Sequence, residues 1–327
     1  MPPLTVQTAV IVSAASAIFK GNTMKTEILF TGLKAVDLLA PIPLGGDNLV
    51  SGDPRSGARI LGMELAYRLS HHPVIGLPVV IFLDSGVEDA KQFEQEFQSS
   101  APGSGELFTV DAVRLEDLVQ HRVSGKSKLG SVVFAISKNR DFIEGFRAAV
   151  KNERRSADHT SPLTTFVITE TLGAEDGIPD GYNSKLISSR LLAAEGVYPA
   201  IDPRLSVSTA KSSGYLETNH SRTAEVVRAA ATEVLMELSP GAFNDENWKY
   251  NKVQSKRPAL QALKFISQPY FCSEQYTGLQ SAYVPIEEIV ENFKSIVAGR
   301  YSGNSLQSFS MKNSLPVELL APAGTQL

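Results

Sequence analysis

The residues best suited to chemistry lie together in one octapeptide, Gly52-Asp53-Pro54-Arg55-Ser56-Gly57-Ala58-Arg59. Its glycines have the spacing of a phosphate-binding loop, Gly-x-x-x-x-Gly-Lys-Ser/Thr. In such a loop backbone N–H groups face the phosphates, the lysine reaches the terminal phosphates, and the hydroxyl holds magnesium. Here the two positions after the second glycine are Ala58 and Arg59, so the ammonium and the hydroxyl are both missing. Taken alone, the half-matched octapeptide reads either as an ordinary glycine turn or as the remnant of a phosphate cradle. Arg55 and Arg59 can bring positive charge to a phosphate, against the opposing charge of Asp53, or can simply be solvated.

Other chemistries have less to stand on. Cys272 is the only cysteine, which excludes an intrachain disulfide and any CxxC zinc or redox motif and fits a reducing compartment. The five histidines, His71, His72, His121, His159 and His220, are scattered apart from the first pair. Adjacent residues point to different faces of a helix or strand, so these side chains read as surface or core residues and not as metal ligands. Lys plus Arg number 31 against 35 Asp plus Glu, a net charge of −4 without long runs of one sign. Nothing in that balance advertises a nucleic-acid partner.

The elements that must position the octapeptide are legible around it. An apolar strand ends near Ser51, the Gly/Pro loop follows, and a helix with apolar residues at Ile60, Met63 and Tyr67 comes next. Further strands are predicted at Pro78–Leu83, Leu107–Val113, Ser131–Ile136 and Thr164–Thr169, with helices at Glu88–Gln98, Arg140–Arg155 and Lys185–Ala194. This alternation predicts an α/β fold with a mostly parallel sheet covered by helices on both faces. From about Ser221 only helical periodicity remains, so an α-helical C-terminal domain is expected. The length of 327 residues fits two domains, at roughly 150 residues per domain. The expected division is an apolar N-terminal arm over 1–25, an α/β domain over 26–215 and the helical domain over 216–327. Within the arm, Thr8–Phe19 is apolar but no Lys or Arg precedes it; it reads as a strand or arm in preference to an export signal. No apolar run is long enough for a membrane-spanning helix.

Four segments carry a resemblance to a known family. TEILFTGLKAVDLLAPIPLGG, Thr26 to Gly46, resembles the segment leading into the phosphate loop of the catalytic β subunit of F-type rotary ATP synthases. ILGMEL, Ile60 to Leu65, resembles the helix that follows that loop. AAEGVYPAIDPRLSVST, Ala193 to Thr209, is similar to the segment bearing an adenine-packing aromatic. FISQPYFCSEQYTG, Phe265 to Gly278, with Tyr283 to Tyr301, resembles the C-terminal helical domain. These segments occur in the family's order between Thr26 and Tyr301. The resemblance implies a P-loop NTPase-like fold with a helical C-terminal domain. With about 25 residues before the match, the family's N-terminal β-barrel is expected to be missing. It also implies that Tyr198, Tyr270 and Tyr276 stand where aromatic rings pack on adenine; the other reading is that they fill core or surface grooves.

The departures from the family fall where its chemistry resides. Ala58 replaces the phosphate-loop lysine and Arg59 the magnesium-binding hydroxyl. The carboxylate that orients the attacking water aligns with Ser85, and Asp84 and Glu88 are out of register. The strand SVVFAI, which should end in a magnesium-holding aspartate, runs into Ser137-Lys138-Asn139, and Thr209 stands where a neighbouring subunit type carries an arginine finger. A finger alone is worth about 10³ to 10⁵ in rate, so these losses together leave no useful hydrolysis. The resemblance therefore implies a pseudoenzyme with no catalytic residue and no metal ligand, acting as an interaction or assembly component beside rotary ATPase subunits. Its vestigial nucleotide site comprises Gly52, Arg55, Gly57, Arg59, Tyr198, Tyr270 and Tyr276. No cofactor is required, and weakly held ADP or ATP is the small molecule that this site implies. One alternative is a nucleotide sensor without turnover; another is an ATPase in which Arg55, Arg59, Asp84 or Glu88 takes a displaced role. A monomer or small oligomer is expected, soluble in the cytoplasm or an organelle matrix and peripheral to a membrane complex.

Overall fold

Runs of Val, Ile and Phe almost without polar interruption make the centre of a parallel sheet, because strands buried on both faces need no alternation. The computed structural model describes residues 28–72, 77–84, 92, 95–99, 106–109, 130–156, 162–170, 180–211, 216–237, 256–315 and 319. A short antiparallel pair, β1 (Ile28–Leu29) and β2 (Ile42–Pro43), brackets helix α1 (Lys34–Leu39). The main sheet holds β3 (Asp47–Gly52), β4 (Val79–Leu83), β5 (Glu106–Thr109), β6 (Ser131–Ile136), β7 (Leu163–Thr169), β8 (Ser184–Ser188) and β9 (Val207–Ser208). Their order is β5-β4-β6-β7-β3-β8-β9, all pairs parallel except β8 with β9. β3 is interior, with Leu49 opposite Val167 on one side and Lys185 on the other.

The two faces bury different residues of the same strands. Val50, Ile81, Phe134 and Ile168 face α2 (Ala58–Ser70) in the larger core. Leu49, Val80, Phe82, Val133 and Val167 face Phe142, Phe146 and Val150 of α3 (Arg140–Ser156) in the smaller one. Helices thus cover both faces, as the alternation predicts. The face of α2 is a correction: Ile60 is 51 % exposed, and Leu61, Leu65 and Leu69 form the buried stripe.

The segment Lys185–Ala194, predicted as one helix, is a strand followed by a short helix, α4 (Arg190–Ala194). Five residues of β8 pair with β3, and closing that open edge outweighs local helix propensity. Ser189 then caps α4, its Oγ accepting the Leu192 N–H at 3.4 Å. The predicted strand at Leu107–Val113 is described as β5 only to Thr109, and the predicted helix at Glu88–Gln98 is helical at 92 and 95–99. The N-terminal arm, Ser85, Glu88, His121 and His159 lie outside the described residues.

Beyond the sheet come α5 (Thr218–Glu237), α6 (Arg257–Ile266), the single turn α7 (Glu274–Thr277) and α8 (Ile286–Val297). α5, α6 and α8 pack against one another, and α5 and α8 also pack on α1. Val227, Leu263 and Phe293 therefore share the larger core with Leu38 and Leu65. The helical part and the sheet are joined by continuous apolar packing. No helix among the described residues is long and apolar enough to cross a membrane.

Candidate functional site

The octapeptide links the carboxyl end of β3 to the start of α2, the place where a parallel α/β sheet presents ligand-binding loops. At Gly52 the backbone runs against β8: an added Cβ would lie 2.5 Å from both the Ser188 carbonyl oxygen and Ser56 Oγ. The chain then turns, with the Ser56 N–H donating to the Asp53 carbonyl at 3.0 Å. Gly57 adopts φ +87° in the left-handed region, which a residue without Cβ occupies freely. Arg55 also has positive φ, 68°, a costlier conformation for a long side chain.

Gly57 leads into α2, and no side chain caps that helix. The first N–H groups of a helix have no intrahelical partner, so the turn points donors toward the loop. Ser51 Oγ and Ser56 Oγ are buried there without hydrogen-bond partners. Ala58, in the position of the phosphate-loop lysine, is completely buried. Arg55 is exposed and Arg59 half-buried.

The three tyrosines have three different fates. Tyr198 reaches the loop, its Cε1 3.9 Å from a Cβ placed on Gly57, and is 39 % exposed. Its carbonyl oxygen accepts the Gln268 N–H at 2.7 Å, and the Gln268 side chain donates to the carbonyls of Gly32 and Ala282 at 3.0 and 2.9 Å. Tyr270 is buried, and burial with the nearby Glu64 carboxylate pushes its phenol well above the ordinary value. Tyr276, on α7, is 71 % exposed. The structure therefore brings Tyr198 to the loop, puts Tyr270 in the core, and leaves Tyr276 at the surface.

At the neighbouring strand ends the carboxylates already have partners. Ser137 Oγ donates to Asp84 Oδ2 at 2.6 Å, tying the end of β6 to the end of β4. Lys138 Nζ stands 3.3 Å from Glu170 Oε2 beyond β7. Thr209 is exposed at the surface, its N–H donating to the Asn183 carbonyl at 2.7 Å. Among the described residues no group of three or more His, Cys, Asp or Glu is placed to hold a metal ion.

Sequence reasoning missed the strongest polar cluster, which lies under α2. Arg68 Nε donates to Glu64 Oε1 at 2.6 Å, and both side chains are fully buried. The same carboxylate accepts the Phe271 and Cys272 N–H groups at 3.1 and 3.0 Å. Arg68 also donates to the Ala282 carbonyl at 3.0 Å and Ser281 Oγ at 2.6 Å, and its guanidinium lies over the Phe271 ring at 4.7 Å. Burial and the adjacent Glu64 charge push the Cys272 thiol far up, which makes it a poor nucleophile. Opposite charges four apart in an otherwise apolar helix, LGMELAYRLS, were the available signal.

A cavity of about 460 Å³ lined by Tyr67, Phe271, Glu274 and Gln275 adjoins this cluster. Another, of about 550 Å³, opens beside Asp47 at the amino end of β3. Neither is lined by the octapeptide. No family model matches the chain.

Proposed function

We propose that this chain is a non-catalytic counterpart of the nucleotide-binding subunits of rotary ATPases, and that its preserved frame serves protein interaction or assembly. The observation that carries the reading is the strand–loop–helix at Gly52–Arg59, in which a fully buried Ala58 occupies the lysine position. Phosphoryl transfer rests on positioning and charge stabilisation, and this loop offers no ammonium at the required place. Asp84, one residue before the expected water-orienting position in the sequence, accepts a hydrogen bond from the Ser137 hydroxyl. Rotary ATPase subunits are the partners that the sequence resemblance suggests.

A second reading, binding of ADP or ATP without turnover, is favoured by one specific feature. The buried Ser56 Oγ has no partner, the adjoining helix start is uncapped, and Tyr198 stands over Gly57. A donor-rich turn with an aromatic neighbour can hold a nucleotide weakly.

Calorimetric titration with ATP, with and without magnesium, alongside a phosphate-release assay, tests both readings. No phosphate release above a buffer blank is expected, and any ATP affinity should be independent of magnesium. Turnover that disappears in Arg59→Ala would overturn the non-catalytic reading. Affinity without turnover would select the sensor over the assembly role.

A further inference from the structure

The cavity beside Asp47 has a charge distribution that neither reading above uses. Its lining includes Arg147, Lys151, Arg154 and Arg155 of α3 together with Tyr182, and among the described residues Asp47 is the only carboxylate that lines it. That carboxylate is already engaged. Arg154 Nη1 donates to Asp47 Oδ2 at 2.9 Å and Thr165 Oγ1 to Asp47 Oδ1 at 2.6 Å, while Arg154 Nη2 also reaches the Leu163 carbonyl at 2.7 Å.

Three cations are left without a carboxylate partner among the described residues. Arg147 is held in place: its guanidinium lies 4.6 Å from the Tyr182 ring centroid and donates to the Gly181 carbonyl at 3.2 Å. Lys151 and Arg155 are exposed along the same helix. A helix dipole accounts for cations in the last turn, which covers Arg154 and Arg155. It does not account for Arg147, two turns earlier and fixed over an aromatic ring. Like charges gathered round one concavity repel in the empty state and favour a bound anion.

We propose that this cavity binds a small organic anion carrying two or more phosphate groups. Each phosphate monoester bears about −1.5 to −2 at neutral pH, so two such groups balance the three uncompensated cations. Two arginines supply forked donors suited to phosphate oxygens. A volume of about 550 Å³ lies within the range of roughly 300 to 1,000 Å³ for small-molecule sites. A concave site of that size fits a small ligand better than an extended polymer. The site lies at the amino ends of β3 and β7, away from the Gly52–Arg59 loop at the carboxyl end, so it is independent of the nucleotide reading.

The test uses the full chain and two kinds of probe. Inorganic pyrophosphate is titrated by calorimetry, and vesicles of phosphatidylcholine with or without a phosphoinositide bisphosphate are used in co-sedimentation. Saturable pyrophosphate binding is expected, weakened about tenfold or more in the Lys151→Ala, Arg155→Ala double variant and within about twofold of the parent in Lys294→Ala, which removes an exposed cation of α8. Circular dichroism and a urea midpoint confirm that the variants are folded. Pyrophosphate binding with no vesicle capture identifies a soluble ligand; additional capture that requires the phosphoinositide identifies a lipid headgroup. No saturable binding, or binding unaffected by the double variant, overturns the proposal. Preference for a DNA oligonucleotide over pyrophosphate overturns it in favour of a polymer site.

Discussion

Glu64 and Arg68 form a fully buried ion pair, 2.6 Å between Oε1 and Nε, that ties the helix after the octapeptide to the segment Phe271–Ala282. Further hydrogen bonds hold both partners: the carboxylate takes two backbone N–H groups, and the guanidinium reaches Ser281 and the Ala282 carbonyl. Removing one partner strands the other charge in the core, at a cost of about 3 to 5 kcal/mol. Arg68→Ala and Glu64→Ala should each lower the unfolding free energy by that amount in urea titrations. A loss below about 1 kcal/mol would mean that the segment Phe271–Ala282 does not rest on this pair.

The sheet was legible because its strands are apolar on both faces: VVIFL and SVVFAI can bury both sides only between helices. Lys185–Ala194 was misread because a five-residue strand with one lysine and two serines carries little β signal of its own; its pairing with β3 is a tertiary fact. The glycine loop could be read from spacing, since left-handed φ at Gly57 leaves a residue-type signature. Neither the Glu64–Arg68 cluster nor the cationic cavity could be read so directly. In both, residues far apart in the chain, such as Glu64 with Cys272 or Asp47 with Arg154, meet only after folding.

The carboxyl of Asp37 should make stability depend on pH. It is buried and accepts from the Thr31 N–H, the Thr31 hydroxyl and the Gly32 N–H at 2.9, 2.8 and 2.7 Å, and burial outweighs these donors to raise its pKa from 3.8 to about 6. The folded state then holds this proton more tightly than the unfolded state. The associated stability is fully present below about pH 4 and is lost as pH rises through about 6. By linkage the loss is on the order of 3 kcal/mol. Comparison with Asp37→Asn isolates it, since other groups cancel in the difference. The advantage of wild type over the variant should shrink between pH 4 and 6.5; a constant difference would contradict the assignment.

Arg55 offers a test of the loop's backbone. At φ 68° and exposed to solvent, it pays for left-handed geometry without packing to offset it. Glycine removes a strain of roughly 1 to 2 kcal/mol, partly cancelled by the greater freedom that glycine gives the unfolded chain. Arg55→Gly should therefore raise the unfolding free energy by roughly 0.5 to 1 kcal/mol, and Arg55→Ala should leave it near the parent value. Destabilisation by the glycine variant would show that the turn does not use positive φ in solution.

Restoring the two missing groups asks whether the octapeptide is a phosphate cradle. Ala58→Lys with Arg59→Thr adds one positive charge and removes another, so a gain in ATP affinity could not come from net charge. It would have to come from the placement of the ammonium. Ala58 is buried at the first position of α2, so a lysine there must extend along the turn, where the loop's own donors and the unpartnered Ser56 hydroxyl lie. A charged hydrogen bond is worth about 1.5 to 3 kcal/mol, or roughly a tenfold to hundredfold gain in affinity. Turnover should remain absent, because Asp84 stays bonded to Ser137 and Thr209 brings no guanidinium. Unchanged affinity by calorimetry in a variant that keeps the parent's unfolding midpoint would mean that Gly52–Gly57 is only a turn joining β3 to α2.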